Sequence, residues 1–486
     1  MAHVFMSLEP LLEIIASSST ENWQARNKSA FETLFGSRYH KHAAQSIKLR
    51  APEIKHDDGV PFAAYIHPSN PDSGSYTGTS FVIFPLENEP CLIAMVTGTQ
   101  GLSPDEAILG RPGHARKMQA ICHWLNHKHG SGSQIAWAKQ DPTRIDLPVP
   151  GSLNFGDACR KVFARYGKEL YAIFKPTSDS AATADAVAAF LDILLEERGY
   201  HPLKQFEAES NNIRSQWFSH LMPSTTDQDV LALLHRRRYV IIQGPPGTGK
   251  TRMARQLLRE SYDGFGRTIQ FHPNTTYENF VGGLAPLLSN NGQGLQFAPV
   301  AGALMQAAAE AQANPGKSYL LHIDEINRAD LGKILGEAIY LLEPNPEYER
   351  DIALPYDFGP PFQSKLALPG NLHILGTMNT ADRSIAIVDV AVRRRFAFLS
   401  LWPSTNVVEA HGCAETQKAY RDLLSIFIEH AGDDAFSLIP GHSYFLGQDP
   451  SVLKSTLAPL LEEYLAQGYV TGFAEYIRSY LQWLKL

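Results

Sequence analysis

The feature that most constrains the fold of this chain is a glycine-rich loop set between an apolar strand and a helix. Residues 239–243 form a β-branched stretch typical of a strand, and residues 252–259 are predicted to form a helix. A complete eight-residue phosphate-binding signature stands between them: Gly244, Pro245, Pro246, Gly247, Thr248, Gly249, Lys250 and Thr251. Because this strand–loop–helix order is the setting that the signature requires, a P-loop is predicted rather than a plain glycine-rich turn.

Each part of this loop has a physical role in binding a nucleoside triphosphate. Glycines let backbone N–H groups approach the phosphates, and the helix that follows adds partial positive charge at its N-terminus. Lys250 is predicted to reach the β- and γ-phosphates, and Thr251 to supply a hydroxyl group to Mg²⁺. The sequence thus predicts triphosphate binding with magnesium as the cofactor.

Two further predicted strands end in residues suited to hydrolysis. The apolar stretch 318–323 runs into Asp324 and Glu325, which match a Walker B element. In such an element the first carboxylate orders Mg²⁺ and the second activates water. The stretch 372–377 leads to Asn379, whose amide is placed to hold the attacking water. Solvated acids at a strand end are the plainer alternative, but the upstream P-loop favours hydrolysis.

The order of these elements is that of an AAA+ module, and a cluster of arginines follows them. Arg394 and Arg395 stand in the sequence VRRRFAF. In a ring of such modules, a guanidinium group can reach the γ-phosphate of a neighbouring subunit and stabilise the charge of the transition state. A solvated basic helix end is the alternative interpretation.

Six motifs occur in one order across the C-terminal half of the chain. They read IIQGPPGTGKT, FHPNTTYENFVGG, HIDEINRADLGKILGE, MNTADRS, VRRRFAF and, near the end, PGHSYF. Together they resemble the McrB family, which comprises AAA+ motor subunits of modification-dependent restriction systems. The resemblance covers about residues 228–486, and six separate motifs in the right order argue against chance.

The resemblance implies a fold, a site and an assembly. The fold would be α/β, with an AAA+ P-loop module and a C-terminal helical lid. The nucleotide site would comprise Lys250, Thr251, Asp324, Glu325, Asn379 and Asp382. Arg394 and Arg395 would act as fingers between the subunits of a homo-oligomeric ring, with a hexamer favoured. A separate McrC-like nuclease subunit would cleave DNA.

The residues constrain the identity of the nucleotide less strongly. The stretch 379–382, Asn-Thr-Ala-Asp, resembles the guanine-reading N-K-x-D motif of G proteins but lacks its lysine. McrB-like proteins characteristically use GTP, whereas most AAA+ relatives use ATP. The resemblance therefore favours GTP as the substrate and leaves ATP open.

Composition limits the function classes further. With 44% apolar and 19% charged residues, the chain can bury large cores and is not intrinsically disordered. Its net charge of −7 means that any DNA contact must come from a local basic patch. Four widely spaced cysteines suit a reducing cytoplasm, and no apolar run predicts a membrane span. The only nuclease-like pattern, at residues 53–55, lacks a convincing upstream acid on a strand, so cleavage is expected from another polypeptide.

Changes in pattern predict how the chain divides. The predicted segments are an N-terminal α/β recognition domain at 1–205, a linker at 206–227, an AAA+ large subdomain at 228–402 and a helical lid at 403–486. Past residue 222 the repeated strand–turn–helix pattern indicates a parallel sheet covered by helices on both faces. In the first segment, apolar stretches at 81–85 and 91–96 predict a hairpin, and the periodicity over 186–194 predicts an amphipathic helix.

Basic and aromatic residues of the N-terminal segment are the candidates for DNA contact. Arg111, Arg116 and Lys117 could bind phosphates. Four aromatic residues could stack on an extruded base: Tyr65, Tyr76, Phe81 and Trp124. Ordinary loops and core packing are the equal alternative for both sets.

The leading hypothesis is an NTP-driven motor subunit of an McrBC-like antiphage restriction complex. In it, the N-terminal domain recognises DNA, modified DNA being favoured, and the nuclease is a separate subunit. The alternative is a MoxR-like remodelling ATPase, or a defence ATPase, whose N-terminal domain binds a protein.

Overall fold

The computed structural model of the chain describes residues 2–16, 22–50, 59–288, 295–343, 350–381, 390–447 and 449–485. The chain divides into two compact units. The first comprises Met1–Met222 with the segment Ile428–Gly432, and the second comprises Pro223–Phe427 with Asp433–Leu486. Across the described residues, no helix combines the length and the apolar character that crossing a membrane would require.

The first unit is a six-stranded antiparallel sheet with helices packed against it. Its strands are β1 (Lys48–Arg50), β2 (Ala63–Ile66), β3 (Thr79–Leu86), β4 (Glu89–Thr97), β5 (Ala136–Ala138) and β6 (Leu170–Phe174). Its helices are α1 (Ala2–Ala16), α2 (Trp23–Ser37), α3 (Glu106–Leu109), α4 (Pro112–His129), α5 (Arg160–Tyr166), α6 (Ser180–Glu196) and α7 (Lys204–Phe218). The sheet order is β1-β2-β3-β4-β6-β5, so this region is mixed α/β as predicted.

The predicted hairpin is confirmed as β3 and β4. Both strands are almost continuously apolar and buried, because they lie in the middle of the sheet with both faces covered. Asn88 turns the chain between them with φ 58°, a left-handed conformation that asparagine tolerates. The helix predicted over 186–194 is present as α6, but it is not amphipathic. Residues 182–195 are buried with the exception of Asp185, so the helix lies inside the unit and has no solvent-exposed face there.

The four aromatic residues considered for base stacking are buried. Tyr65, Tyr76, Phe81 and Trp124 are between 0% and 7% exposed. They belong to β2, β3, the segment before β3 and the inner face of α4, so their rings fill the interior of the unit. The prediction that these rings stack on an extruded base is therefore wrong, and the rings pack in the core instead.

The second unit contains a five-stranded parallel sheet in the order β15-β7-β14-β11-β8. The strands of the unit are β7 (Tyr239–Gly244), β8 (Gly266–Gln270), β9 (Gly282–Leu288), β10 (Leu295–Ala301), β11 (Tyr319–Asp324), β12 (Asp351–Ala353), β13 (Lys365–Ala367), β14 (Leu372–Asn379) and β15 (Ala397–Ser400). Outside the parallel sheet, β9 pairs with β10 and β12 with β13 as antiparallel ribbons.

Helices of the second unit lie on both faces of the parallel sheet and continue beyond it. They are α8 (Asp227–Arg237), α9 (Lys250–Glu260), α10 (Tyr277–Phe280), α11 (Ala303–Ala313), α12 (Leu331–Leu335), α13 (Val390–Arg395), α14 (Thr405–His411), α15 (Ala414–His430), α16 (Asp433–Phe436), α17 (Val452–Ala466) and α18 (Ala474–Lys485). Those after β15 form the predicted C-terminal helical region.

Strand β7 shows why helices cover both faces. Successive side chains of a strand point to opposite sides. Accordingly, Tyr239 and Ile241 pack in a core with α11, while Val240 and Ile242 pack in a second core with α8 and α9. The predicted α/β class, a parallel sheet between two helical layers, is confirmed.

One buried ion network in the first unit generates a stability prediction. Arg38 is 0% exposed and donates to both carboxylate oxygens of Asp192, at 2.9 and 2.6 Å. Tyr39 and Ser210 donate to the same carboxylate at 2.5 and 2.8 Å. Glu209 accepts a further bond from Arg38 at 2.8 Å. Removing Asp192 therefore leaves a buried guanidinium group with only part of its compensation.

We expect Asp192→Ala to lower the free energy of unfolding of this unit by about 3 kcal/mol, because a buried charge loses its main partner. Urea unfolding of the full chain, followed by tryptophan fluorescence, measures the change, since four of the six tryptophans lie in residues 1–222. The control is Glu32→Ala, which breaks an exposed pair with Lys28 and should cost less than about 1 kcal/mol. Equal losses for the two variants would contradict the prediction.

Candidate nucleotide-binding site

Two positions of the glycine-rich loop have a left-handed backbone conformation, which glycine adopts more easily than other residues. Gly247 and Gly249 have φ of 80° and 86°, in the left-handed region. The loop leaves β7 at Gly244 and enters α9 at Lys250. The predicted strand–loop–helix arrangement is therefore present, with backbone N–H groups at the start of α9 in the place that suits an anion.

The ammonium group of Lys250 is held inside the loop. Its Nζ donates to the carbonyl oxygens of Gly244 at 2.9 Å and of Pro245 at 2.6 Å, and the residue is 7% exposed. These carbonyls hold the charge at the loop, where phosphate oxygens could replace them as acceptors. The position fits the predicted role of Lys250 as a phosphate ligand.

Two hydroxyl groups converge on the first acid of the Walker B element. Thr251 donates to Oδ1 of Asp324 at 2.9 Å, and Thr377 donates to the same oxygen at 2.5 Å. These residues come from α9, β11 and β14. A hydroxyl and a carboxylate are the hard oxygen ligands that Mg²⁺ prefers, and Mg²⁺ usually takes its remaining ligands from phosphates and water. Thr251 and Asp324 therefore fit the predicted magnesium site.

The second acid and the predicted sensor residue are also brought together. Asn379 donates through Nδ2 to Oε1 of Glu325 at 2.7 Å, and Arg328 places its Nε 3.5 Å from Oε2. Glu325 follows the end of β11 with φ 53°. This left-handed turn separates the Glu325 side chain from the Asp324 side chain, so the two carboxylates can serve different roles.

A histidine lies behind this cluster without adding charge to it. His322 is 0% exposed, and its Nε2 is 3.3 Å from the Thr377 hydroxyl oxygen. Burial lowers the pKa of His322 to about 4, so the ring is neutral at pH 7. His322 and Thr377 had no predicted role in the site. The spacing along β14 could have indicated Thr377, because it stands two residues before Asn379 and therefore lies on the same face of the strand.

The predicted arginine fingers lie at the end of α13, immediately before β15. Arg394 is exposed, and Arg395 is half-buried and donates to the carbonyl oxygen of Ala391 at 2.9 Å. Neither is needed to build the cluster around Asp324. Their action between subunits stays a prediction, and Asp382, also assigned to the site, lies outside the described residues.

The three basic residues proposed for DNA contact are engaged by protein groups of the first unit. Lys117 has a side chain that is 11% exposed, with Nζ 3.4 Å from a carboxylate oxygen of Glu197. Arg116 donates to two carbonyl oxygens of the segment Ile428–Gly432, at 2.6 and 2.7 Å. Arg111 lies 3.5 Å from a carboxylate in that segment. This placement does not favour phosphate contacts, which stay a prediction for these residues.

The fold and the site together define an AAA+ module with the residues of a P-loop NTPase. Residues 239–396 match the AAA domain family of the dynein-related subfamily. The C-terminal half of the chain is similar in sequence to McrB, in agreement with the resemblance drawn from the motifs.

Two curated relatives support this assignment. The chain is 32% identical over 271 residues to the "Type IV methyl-directed restriction enzyme EcoKMcrB subunit" of Escherichia coli (strain K12), covering 50% of this chain and 57% of that protein. It is 30% identical over 205 residues to the "Type II restriction enzyme BsuMI component YdiS" of Bacillus subtilis (strain 168), covering 35% and 58%. The chain thus spans less than two thirds of the length of either relative.

A solved structure from Cytophaga hutchinsonii matches more weakly. It shares 14% identity and a TM-score of 0.24, covering 37% of this chain and 47% of that chain. A likeness of this size carries no argument about the fold or the site.

Two substitutions should separate nucleotide binding from hydrolysis. Lys250→Ala removes the buried ammonium group, so we expect triphosphate affinity to fall at least about thirtyfold. Glu325→Gln keeps the shape of the side chain but removes its basicity, so we expect hydrolysis to fall about a hundredfold while binding stays within about threefold. Binding of a fluorescent triphosphate and release of inorganic phosphate measure the two effects. Wild-type turnover by Glu325→Gln would refute the role of Glu325.

Proposed function

We propose that this chain is the nucleoside-triphosphate-hydrolysing motor subunit of an McrBC-like antiphage DNA restriction complex. The observation that carries the proposal is the hydrogen-bonded cluster in which Asp324 accepts from Thr251 and Thr377 beside the Glu325–Asn379 pair. The relatives support the biological setting, since both are components of restriction enzymes by name. The whole complex is inferred from the half of the chain that matches them.

The geometry supports a division of labour among the side chains. Lys250 would exchange its two carbonyl acceptors for phosphate oxygens, and Thr251 and Asp324 would hold the magnesium ion. Magnesium, when bound, neutralises charge on the phosphates. Glu325 would accept a proton from the attacking water, whose oxygen forms a bond to the γ-phosphorus as the β–γ bridge breaks. Asn379 would orient that water through the amide that now binds Glu325.

We favour GTP over ATP as the substrate, because the C-terminal half is McrB-like. We also propose assembly into a homo-oligomeric ring, which the action of the arginine fingers requires, with six subunits as the expected number. Arg394 and Arg395 would then each serve the site of a neighbour. Residues 1–205 would recognise DNA, and a separate McrC-like nuclease subunit would cleave it.

Mixing two inactive variants tests the ring. The double variant Arg394→Ala/Arg395→Ala keeps its own P-loop but offers no finger, whereas Lys250→Ala offers both fingers but binds no triphosphate. If the finger acts between subunits, a mixture should recover about a quarter or more of the wild-type GTP hydrolysis, because mixed rings contain complete sites. Phosphate release at fixed total protein measures the recovery.

The control is a mixture of Lys250→Ala with Glu325→Gln, which should recover no activity. Each variant subunit has a defect in its own nucleotide site, so no site of a mixed ring is complete. A first mixture as inactive as this control would contradict the finger assignment. Adding modified or unmodified DNA, with and without the nuclease gene product, extends the test to the complex. Stimulation by a protein but by neither DNA would favour the remodelling ATPase.

A further inference from the structure

The PGHSYF motif packs directly on the P-loop. The backbone N–H of Gly441 donates to the carbonyl oxygen of Pro246 at 2.9 Å, and that of Ser443 donates to the carbonyl oxygen of Gly247 at 3.0 Å. A β-carbon on Gly441 would collide with the backbone of Gly247. The motif therefore needs glycine at this point because two backbones meet there.

The contact is equally tight from the side of the loop. A β-carbon on Gly247 would lie 2.5 Å from Oγ of Ser443 and 2.9 Å from Cε2 of Tyr444. The glycine in the P-loop is thus required by the C-terminal helical region as well as by its left-handed φ. The motif therefore contacts the P-loop directly.

His442, which belongs to the PGHSYF motif, is held in a defined tautomer. The backbone N–H of Ser404 donates to its Nδ1 at 3.2 Å, so Nδ1 is unprotonated and the neutral ring carries its hydrogen on Nε2. Burial, with the nearby charge of Arg252, lowers the pKa of His442 and keeps the ring neutral at pH 7. The imidazole is consequently an N–H donor at Nε2.

This donor is close to the part of the loop that binds phosphate. A β-carbon on Gly249 would lie 3.8 Å from Nε2 of His442. Gly249 immediately precedes α9, whose first N–H groups face the anion. Phosphate oxygens accept strong hydrogen bonds from such donors.

We propose that His442 is a nucleotide-binding residue whose Nε2–H donates a hydrogen bond to the phosphate chain of the bound nucleotide. The inference rests on the proposed nucleotide binding by the P-loop and adds a ligand from the C-terminal helical region. Bound nucleotide then joins this region to the parallel sheet through one side chain.

Two substitutions test the contributions of the two ring nitrogens of His442 separately. His442→Asn places an amide oxygen where Nδ1 was, so it keeps the bond from Ser404 but loses the distal donor. His442→Gln reaches as far as Nε2 and keeps a distal N–H. In titrations of the full chain with methylanthraniloyl-GDP, we expect His442→Asn to bind about tenfold more weakly, the size of one hydrogen bond to a charged group. His442→Gln should stay within about threefold of wild type.

The controls are His411→Asn, at an exposed position of α14, and the melting temperature of each nucleotide-free variant. His411→Asn should bind as wild type does. Wild-type affinity in His442→Asn would overturn the inference. Equal weakening in both His442 variants, with a lower melting temperature, would also overturn it, because His442 would then only support the loop. Failure of the wild-type chain to bind both this probe and methylanthraniloyl-ADP would instead reject the proposed function itself.

Discussion

The site depends on the register of three parallel strands. This register places the carboxylate of Asp324 within hydrogen-bond distance of the Thr251 and Thr377 hydroxyl groups. Ile323 on β11 pairs with Gly376 on β14, so Asp324 comes opposite Thr377, and Asn379 at the end of β14 pairs with Gly244 at the start of the P-loop. A shift of one residue would turn these side chains to the other face of the sheet. The residues proposed for binding and for hydrolysis therefore lie close together because the strands are in this register.

Several polar groups of the site form hydrogen bonds with one another or with the P-loop backbone. Lys250 bonds to loop carbonyls, Asp324 accepts from two hydroxyls, and Glu325 accepts from Asn379. Buried polar groups without partners are costly, so this network stabilises the site before nucleotide arrives. Binding would then exchange one set of hydrogen bonds for another, and the same residues would serve both stability and the proposed chemistry.

Local motifs predicted the parts of the site that are continuous in sequence. The P-loop, Asp324 with Glu325, and Asn379 were all recognisable because strand and loop patterns surround them. The role of Thr377 was not, because it follows from pairing between strands far apart in sequence. The approach of His442 to the P-loop likewise depends on tertiary contact across nearly two hundred residues.

The same distinction explains the weaker predictions in the first unit. The hairpin β3–β4 and the position of helix α6 follow from local periodicity and were predicted, whereas the burial of α6 on all sides was not. Whether an aromatic ring such as Phe81 or a cation such as Lys117 meets solvent depends on what packs against it. In the fold, the ring lies in the core and the cation meets the Glu197 carboxylate, which composition and spacing do not reveal.

The most direct test of the account is an experimental structure of the full chain with Mg²⁺ and a slowly hydrolysed triphosphate, determined in parallel for the GTP and ATP analogues. We predict that the phosphates contact Lys250 and that the metal is bound by Thr251 and Asp324. We also predict that Glu325 and Asn379 separate from each other and face the γ-phosphate. A triphosphate bound away from the P-loop, or a Glu325–Asn379 bond left intact beside the γ-phosphate, would contradict it.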